Sequence, residues 1–434
     1  MAIAFRAAGT VATGANPTVT LPAGLTQGDL MIIVTSGSAT PTTPTGWTQR
    51  ASQISGNFTT ILTKYATSQE ASVALTQAGA STKAVMIAYS GAGSYDILGS
   101  LATGTTATAT TNLQTTTYAN DYVISIFTRT ATNSTFTTPT GTTSRVNSSS
   151  TNTFTGILIA DELQAAAGLG TARSTTITAG TWAAINLSFV EARTLYWVGG
   201  AGTWSATNTG NWANSSGGTP GTIKPPAPTE IATFDASSGS GTVTLTGTTD
   251  ASTAACGLLS SASNSLTFGG TGNLLVNGNA TLLGSAGITL AATNVWSNTG
   301  TITINSLAAG ITSNAVSMSS SITYDATGGT CTLGSALTLG LTRTFTLTRG
   351  TLALANFTLS CGLFSSNNTN TRAINFGTGN ITTTGSGTVF TTATATGLTY
   401  TGTPTVNISN NSATATTVTA HTTGGTAANA FNFN

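Results

Sequence analysis

Ser265-Leu266-Thr267-Phe268-Gly269-Gly270-Thr271-Gly272-Asn273-Leu274-Leu275-Val276-Asn277-Gly278 contains two short strands broken by a glycine corner and ended by another. Apolar and polar residues alternate within each strand, and neither is long enough to be an arm of an ordinary hairpin. The pattern recurs at Thr242-Val243-Thr244-Leu245, Gly287-Ile288-Thr289-Leu290 and Thr301-Ile302-Thr303-Ile304, then at 336–341, 344–348, 351–354 and Asn380-Ile381. Short alternating strands with Gly-Asn or Asn-Gly corners predict a parallel β-helix whose coils take roughly 20–30 residues each. Asn277, Asn279, Asn298, Asn305 and Asn380 are expected at corners in the left-handed conformation. The alternative reading of the same strands is a second antiparallel sandwich.

Upstream the pattern changes. Asp29-Leu30-Met31-Ile32-Ile33-Val34, Ala84-Val85-Met86-Ile87-Ala88-Tyr89 and Tyr122-Val123-Ile124-Ser125-Ile126-Phe127 are nearly continuous apolar runs, and 153–159 and 182–190 complete the set. Such runs fit strands covered on both faces. With long polar connections between them they predict an antiparallel sandwich of jelly-roll type. The one helical hint is 161–167, about two turns. The expected organisation is all-β: a sandwich over 1–193, a Trp-rich cap or connector over 194–240, and a β-solenoid over 241–434.

Composition limits the chemistry. Only 5% of the 434 residues are charged, about a fifth of the usual share. There are 12 Lys and Arg, 11 Asp and Glu, and one His. A net charge of +1, with the cations scattered singly, gives no basic patch for nucleic acid or acidic membranes. No stretch approaches the roughly 20 apolar residues of a spanning helix, and Met1-Ala2-Ile3-Ala4-Phe5-Arg6 has no secretory signal pattern. A hydrophobic share of 39% and a mean hydropathy of +0.18 argue against disorder.

Candidate chemistry is sparse. Glycoside hydrolysis needs two carboxyls, and the only acids beyond Arg193 are Glu230, Asp235, Asp250 and Asp325; these are expected to be isolated surface acids, with Asp250 and Asp325 meeting across coils as the alternative. Asp161-Glu162 reads as a solvated loop, with a calcium ligand as the alternative. His421 has no acid nearer upstream than Asp325, which leaves no triad. Val198-Gly199-Gly200-Ala201-Gly202 is not followed by the Lys and helix of a phosphate loop. Cys256, Cys331 and Cys361 are odd in number and widely spaced; they read as buried hydrophobes, with a Cys331–Cys361 bridge as the alternative. No metal or cofactor motif emerges. Trp47, beside Pro44 and Gly46, is the candidate for stacking on a sugar, and its other reading is a plug for the end of the sandwich.

Two resemblances follow from these residues. Val19-Thr20-Leu21-Pro22-Ala23-Gly24 leading through Gly28-Asp29-Leu30, then Pro44-Thr45-Gly46-Trp47, Lys64-Tyr65-Ala66, Ala88-Tyr89-Ser90-Gly91 and a late Trp182 strand, resembles β-sandwich modules of phage virion proteins and bacterial surface proteins. Thr194-Leu195-Tyr196-Trp197-Val198-Gly199-Gly200-Ala201-Gly202-Thr203-Trp204, Asn211-Trp212, three prolines at 225, 226 and 228, and Ile231-Ala232-Thr233-Phe234-Asp235 look like the opening of β-solenoid regions in phage tail proteins and large bacterial adhesins. Physically, Trp197, Trp204 and Trp212 are suited to cover a solenoid's open end. The resemblance implies a non-enzymatic fibre or decoration protein on a virion surface. Its expected partners are other virion proteins, itself in a homotrimer, and host surface glycans, with no nucleic acid and no membrane insertion. The alternatives are a bacterial cell-surface adhesin fragment and, third, a polysaccharide depolymerase. Phe431 and Phe433 alternate like a strand without a polar cap, which fits packing on a partner or a chain that continues.

Overall fold

The computed structural model describes residues 2–53, 58–76, 81–130, 132–221, 223–249, 252–409, 416–420 and 432–433. The chain forms two compact units, Met1–Ala66 with Glu70–Ala192, and Arg193–Asn434 with Thr67–Gln69. Among the described residues, helix is limited to one turn at Ala280–Leu283 and a 3-10 turn at Ala236–Ser238.

The first unit is a sandwich of two antiparallel sheets. One sheet has the order Ala4–Ala8, Thr82–Ser90, Leu30–Gly37, Phe58–Tyr65, Thr48–Gln53; the other has Ala102–Gly104, Trp182–Glu191, Asp121–Arg129, Gly156–Gln164, Thr143–Ser148. Leu30, Ile32 and Val34 of the first sheet and Ile124, Ile126 and Ile159 of the second fill the space between them. The intervening Met31 and Ile33 point the other way, beneath a cover that includes Val19, Trp47 and Leu75. Burial on both faces explains why these strands read as unbroken apolar runs.

Each sheet is drawn from one continuous stretch of chain, so strands do not alternate between sheets as a jelly-roll path requires. The two stretches also repeat one topology. Leu30 lies opposite Tyr89 and Tyr65, as Tyr122 lies opposite Phe189 and Leu163. In both repeats the edge strand bulges at an arginine, Arg50 in one and Arg145 in the other. Arg50 sits 4.2 Å above the Tyr95 ring and Arg145 sits 4.6 Å above that of Phe5. Each bulge thus sends a cation onto an aromatic of the other sheet's first strands, a contact worth about 1 kcal/mol. The sequence carries a trace of this duplication in Thr43-Pro44-Thr45-Gly46 and Thr138-Pro139-Thr140-Gly141.

Residues 161–167 do not form the helical turns expected of them: Asp161 and Glu162 lie in the strand Gly156–Gln164. Nor are they a solvated loop or a calcium site. Asp161 is buried, accepting from Arg145 Nε at 2.7 Å and from the Tyr89 hydroxyl at 2.9 Å, and Glu162 pairs with Arg173. The partners come from other segments of the chain, so the acidic dipeptide looked exposed when read alone.

The second unit is a parallel β-solenoid of about seven turns. Its strands stack on three faces. One runs through Thr194–Trp197, Ile231–Phe234 and Leu258–Ser261, and a second through Gly202–Trp204, Thr242–Leu245 and Thr267–Gly270. The third runs through Ala254–Cys256, Leu274–Val276 and Ile302–Ile304. The first and third faces belong to one sheet because Ile322–Leu333 and Thr344–Ala353 pass from one to the other. Successive coils need not match in length: Met318 stacks on Leu339, 21 residues on, and Phe268 on Trp296, 28 residues on. Loops leaving the corners absorb the difference while inward residues stay in register.

The stretch 194–240, read from sequence as a separate cap or connector, supplies the first strands of these sheets. Trp197, Trp204 and Trp212 are buried inside that coil. Phe234 touches all three at centroid distances of 5.6–5.8 Å, then Phe268 at 4.9 Å, which stacks on Trp296. Outside the first strand runs Trp212–Ala213, antiparallel to Thr194–Trp197 at the edge of an otherwise parallel sheet. The five asparagines expected at left-handed corners are not there. Among the described residues of the solenoid, the non-glycine ones with positive φ are Ser263, Asn314, Ala315, Ala355 and Asn356. Asn298 instead points inward, donating to Gly272 O and Ser320 Oγ of neighbouring coils. An amide that bonds between coils contributes more than one that merely tolerates a turn. Arg372 is used the same way: its three guanidinium nitrogens all donate, to the carbonyls of Ser366, Asn370, Thr394 and Thr396 and to Ser366 Oγ.

Candidate functional site

The solenoid's third face carries the feature of most functional interest. Thr303, Thr323, Thr346, Ser365, Thr391 and Thr419 follow one another in register on six adjacent strands. Period-2 alternation puts these residues outside while Ile302, Ile304, Tyr324, Phe345 and Phe364 fill the interior. Neighbouring strands lie 4.7–4.9 Å apart, so the six hydroxyls form a row about 24 Å long. None of them is bonded to another described side chain. The charges beside the row cancel, since Arg349 Nη1 donates to Asp325 Oδ1 at 2.8 Å. The face beside the row therefore carries no net charge, and the row offers donors and acceptors that no described side chain engages.

An open depression of about 470 Å³ lies at a corner between Ala236, Ser240, Ser263, Asn264 and Thr293. Its amide is committed elsewhere: Asn264 Nδ2 donates to Phe234 O and its Oδ1 accepts from Asn294. The depression holds no ionisable side chain.

The residues singled out from sequence are dispersed. Trp47 is 5% exposed and packs with Met31, Leu62 and Met86, so its ring faces are taken up by protein and not offered to a sugar. Asp325 forms the ion pair above; Asp250, its suggested companion, lies outside the described residues, as do His421 and Phe431. Glu230 is buried 3.4 Å from Arg193 and accepts from Ala227 N, while Asp235 caps the 3-10 turn. Among the described residues no group of three His, Cys, Asp or Glu is placed to hold a metal ion. Phe433 pairs its strand with Thr405–Ile408 and packs edge-on to Phe390 at 5.9 Å.

All three cysteines are free and buried, which removes the Cys331–Cys361 bridge. Burial pushes the Cys331 and Cys361 thiols up to about 12 and raises Cys256 as well. Thiolates are the reactive species. A maleimide or disulfide reagent at neutral pH is therefore expected to label none of the three in the native protein and all three in guanidinium; rapid labelling of the folded chain would contradict their placement.

The hydroxyl row was not anticipated from sequence. Its signal was present in the recurring Thr-Ile-Thr and Thr-Phe-Thr triplets, but which outward residues share a row depends on coil lengths that vary. Comparison with protein-family models, with curated proteins and with solved structures finds no match.

Proposed function

We propose that this chain is a non-enzymatic structural protein of the exterior of a virus particle, of the tailed-phage kind, which attaches to neutral glycans of the host surface through its solenoid. The observation that carries this reading is the row of six hydroxyls, unbonded to described side chains, on a face whose charges are paired. Hydroxyls at a fixed spacing suit a polymer with repeating hydroxyls lying along the solenoid axis. Each contact is weak, because hydrogen bonds to solute replace hydrogen bonds to water. Attachment then relies on many contacts along one row and on many copies per particle. A neutral surface also keeps its affinity as salt rises, since there is little charge to screen.

The test uses the whole chain and host-surface polysaccharide. Thr323→Lys with Thr346→Lys sets two like charges side by side in the row and is expected to weaken binding at least tenfold, a loss of about 1.4 kcal/mol, while leaving thermal stability nearly unchanged at these outward positions. Antibody labelling of purified particles by electron microscopy tests the location. Unchanged glycan binding in the double variant, or particles that bear no label, would refute the corresponding half of the proposal.

A further inference from the structure

Lys83 is 7% exposed, unusual for a lysine, and among the described residues no carboxylate pairs with it. Lys64, by contrast, holds Glu70 at 2.9 Å. Nζ of Lys83 lies 2.9 Å from Ser148 Oγ and 2.6 Å from the carbonyl oxygen of Ser149. The two side chains come from different sheets, Lys83 from Thr82–Ser90 and Ser148 from the edge strand Thr143–Ser148. Lys83 continues the inward alternation of Val85 and Ile87, and Ser148 continues that of Val146. They therefore meet at the end of the space between the sheets, where Ser148 stays partly exposed.

The fold does not require this pair. In the duplicated sandwich the place of Lys83 is taken by Ala183, since Ser36 opposes Lys83 as Thr128 opposes Ala183. The place of Ser148 is taken by Gln53, since Ser148 opposes Ile157 as Gln53 opposes Thr59. The matching corner thus holds neither an amine nor a hydroxyl at these positions. Burial lowers the basicity of Lys83, and no neighbouring charge offsets it. An ammonium that loses its proton gains a lone pair. Ser148 can then donate its hydroxyl to Nζ while Nζ still donates to Ser149 O, which holds the amine in place. A buried lysine without a counter-ion is suited to serve as a general base.

We infer that Ser148 is a nucleophile activated by Lys83, and that it takes up an acyl group from an activated ester. Oγ attacks the ester's carbonyl carbon as its proton passes to Lys83 Nζ. The bond between that carbon and the leaving oxygen then breaks, and Nζ returns the proton to the departing alkoxide. The products are an ester on Ser148 and a free alcohol, with no other reactant consumed. Serine and lysine form such a couple on unrelated folds. One transfer per chain is a covalent modification and not turnover, so it stands beside the attachment function proposed above and does not depend on it.

The full chain incubated with para-nitrophenyl acetate tests this. Peptide mapping by mass spectrometry is expected to find an acetyl group on Ser148 that hydroxylamine removes, as it does an ester and not an acetylated lysine. The rate should rise with pH about a midpoint below the ordinary lysine value of 10.5. Ser148→Ala should abolish the labile acetyl, and Lys83→Met should slow its formation roughly a hundredfold. No labile acetyl on the wild-type chain, one confined to other residues, or a rate at Ser148 that Lys83→Met leaves unchanged would overturn the assignment. If Lys83→Met fails to fold, the wild-type pH profile and Ser148→Ala still decide the matter.

Discussion

Phe234→Ala is expected to destabilise the solenoid by about 4 kcal/mol. The ring is fully buried and touches Trp197, Trp204, Trp212 and Phe268, so no neighbour on its own coil or the next can close the space without losing contacts elsewhere. Coils contact only their neighbours, which confines the damage to the start of the solenoid. Guanidinium unfolding followed by tryptophan emission should show an earlier transition for those indoles, and hydrogen exchange should quicken in Thr194–Trp197 and Ile231–Phe234 while protection at Thr358–Cys361 stays as it was. Phe234→Leu keeps most of the volume and is expected to cost less than about 1.5 kcal/mol. Equal, small losses for both substitutions would show that the aromatic column does not stabilise the first coils.

Raising the pH is expected to produce the second large effect. Burial lifts the three thiols, and it lifts the hydroxyls of Tyr89, Tyr324 and Tyr400, with Asp161 adding to the rise at Tyr89 and Cys331 to that at Tyr324. These are acids whose folded pKa exceeds the unfolded one. Their contribution is complete below the unfolded values, near 9 for a thiol and 10 for a phenol, and is lost as pH rises toward the folded values. Above pH 9 the unfolded chain holds fewer protons than the folded one, so stability falls. Each displaced proton costs about 1.4 kcal/mol per pH unit, and three thiols together about 4. Denaturant midpoints measured between pH 8 and 11 should decline steeply above 9, and a Cys331→Ala, Cys361→Ala double variant should decline less steeply. A flat profile over that range would contradict the burial of these groups.

The sequence disclosed the parts of this fold that depend on neighbours along the chain. Leu30 to Val34 announced a strand covered on both faces, and Thr242 to Val276 announced short coils. What escaped it depends on partners far away. The Asp161-Glu162 pair looked solvent-facing because Arg145, Tyr89 and Arg173 approach from other segments of the chain. Asparagines were assigned to corners for their tolerance of positive φ, whereas Asn298 and Asn294 serve as hydrogen-bonding links between coils. Trp47 sits in a turn that folds back over Met31 and Met86, so loop position did not mean exposure. The hydroxyl row likewise needed the coil register, because its six members are separated by unequal lengths of chain.

The reversed strand Trp212–Ala213 has a further consequence. A parallel solenoid is built like a stack whose outermost rung can recruit another chain, which is how cross-β fibrils elongate. At the Thr194–Trp197 rung the position for a newcomer is filled by a segment running the opposite way. An incoming parallel strand would meet donors and acceptors already engaged and a pleat of the wrong sense. Seeding at that rung is thereby hindered by geometry, without the lysines or other charges that most edge strands use for the purpose. A chain with so few charges could pack at high local density without its solenoids nucleating aggregates from that rung.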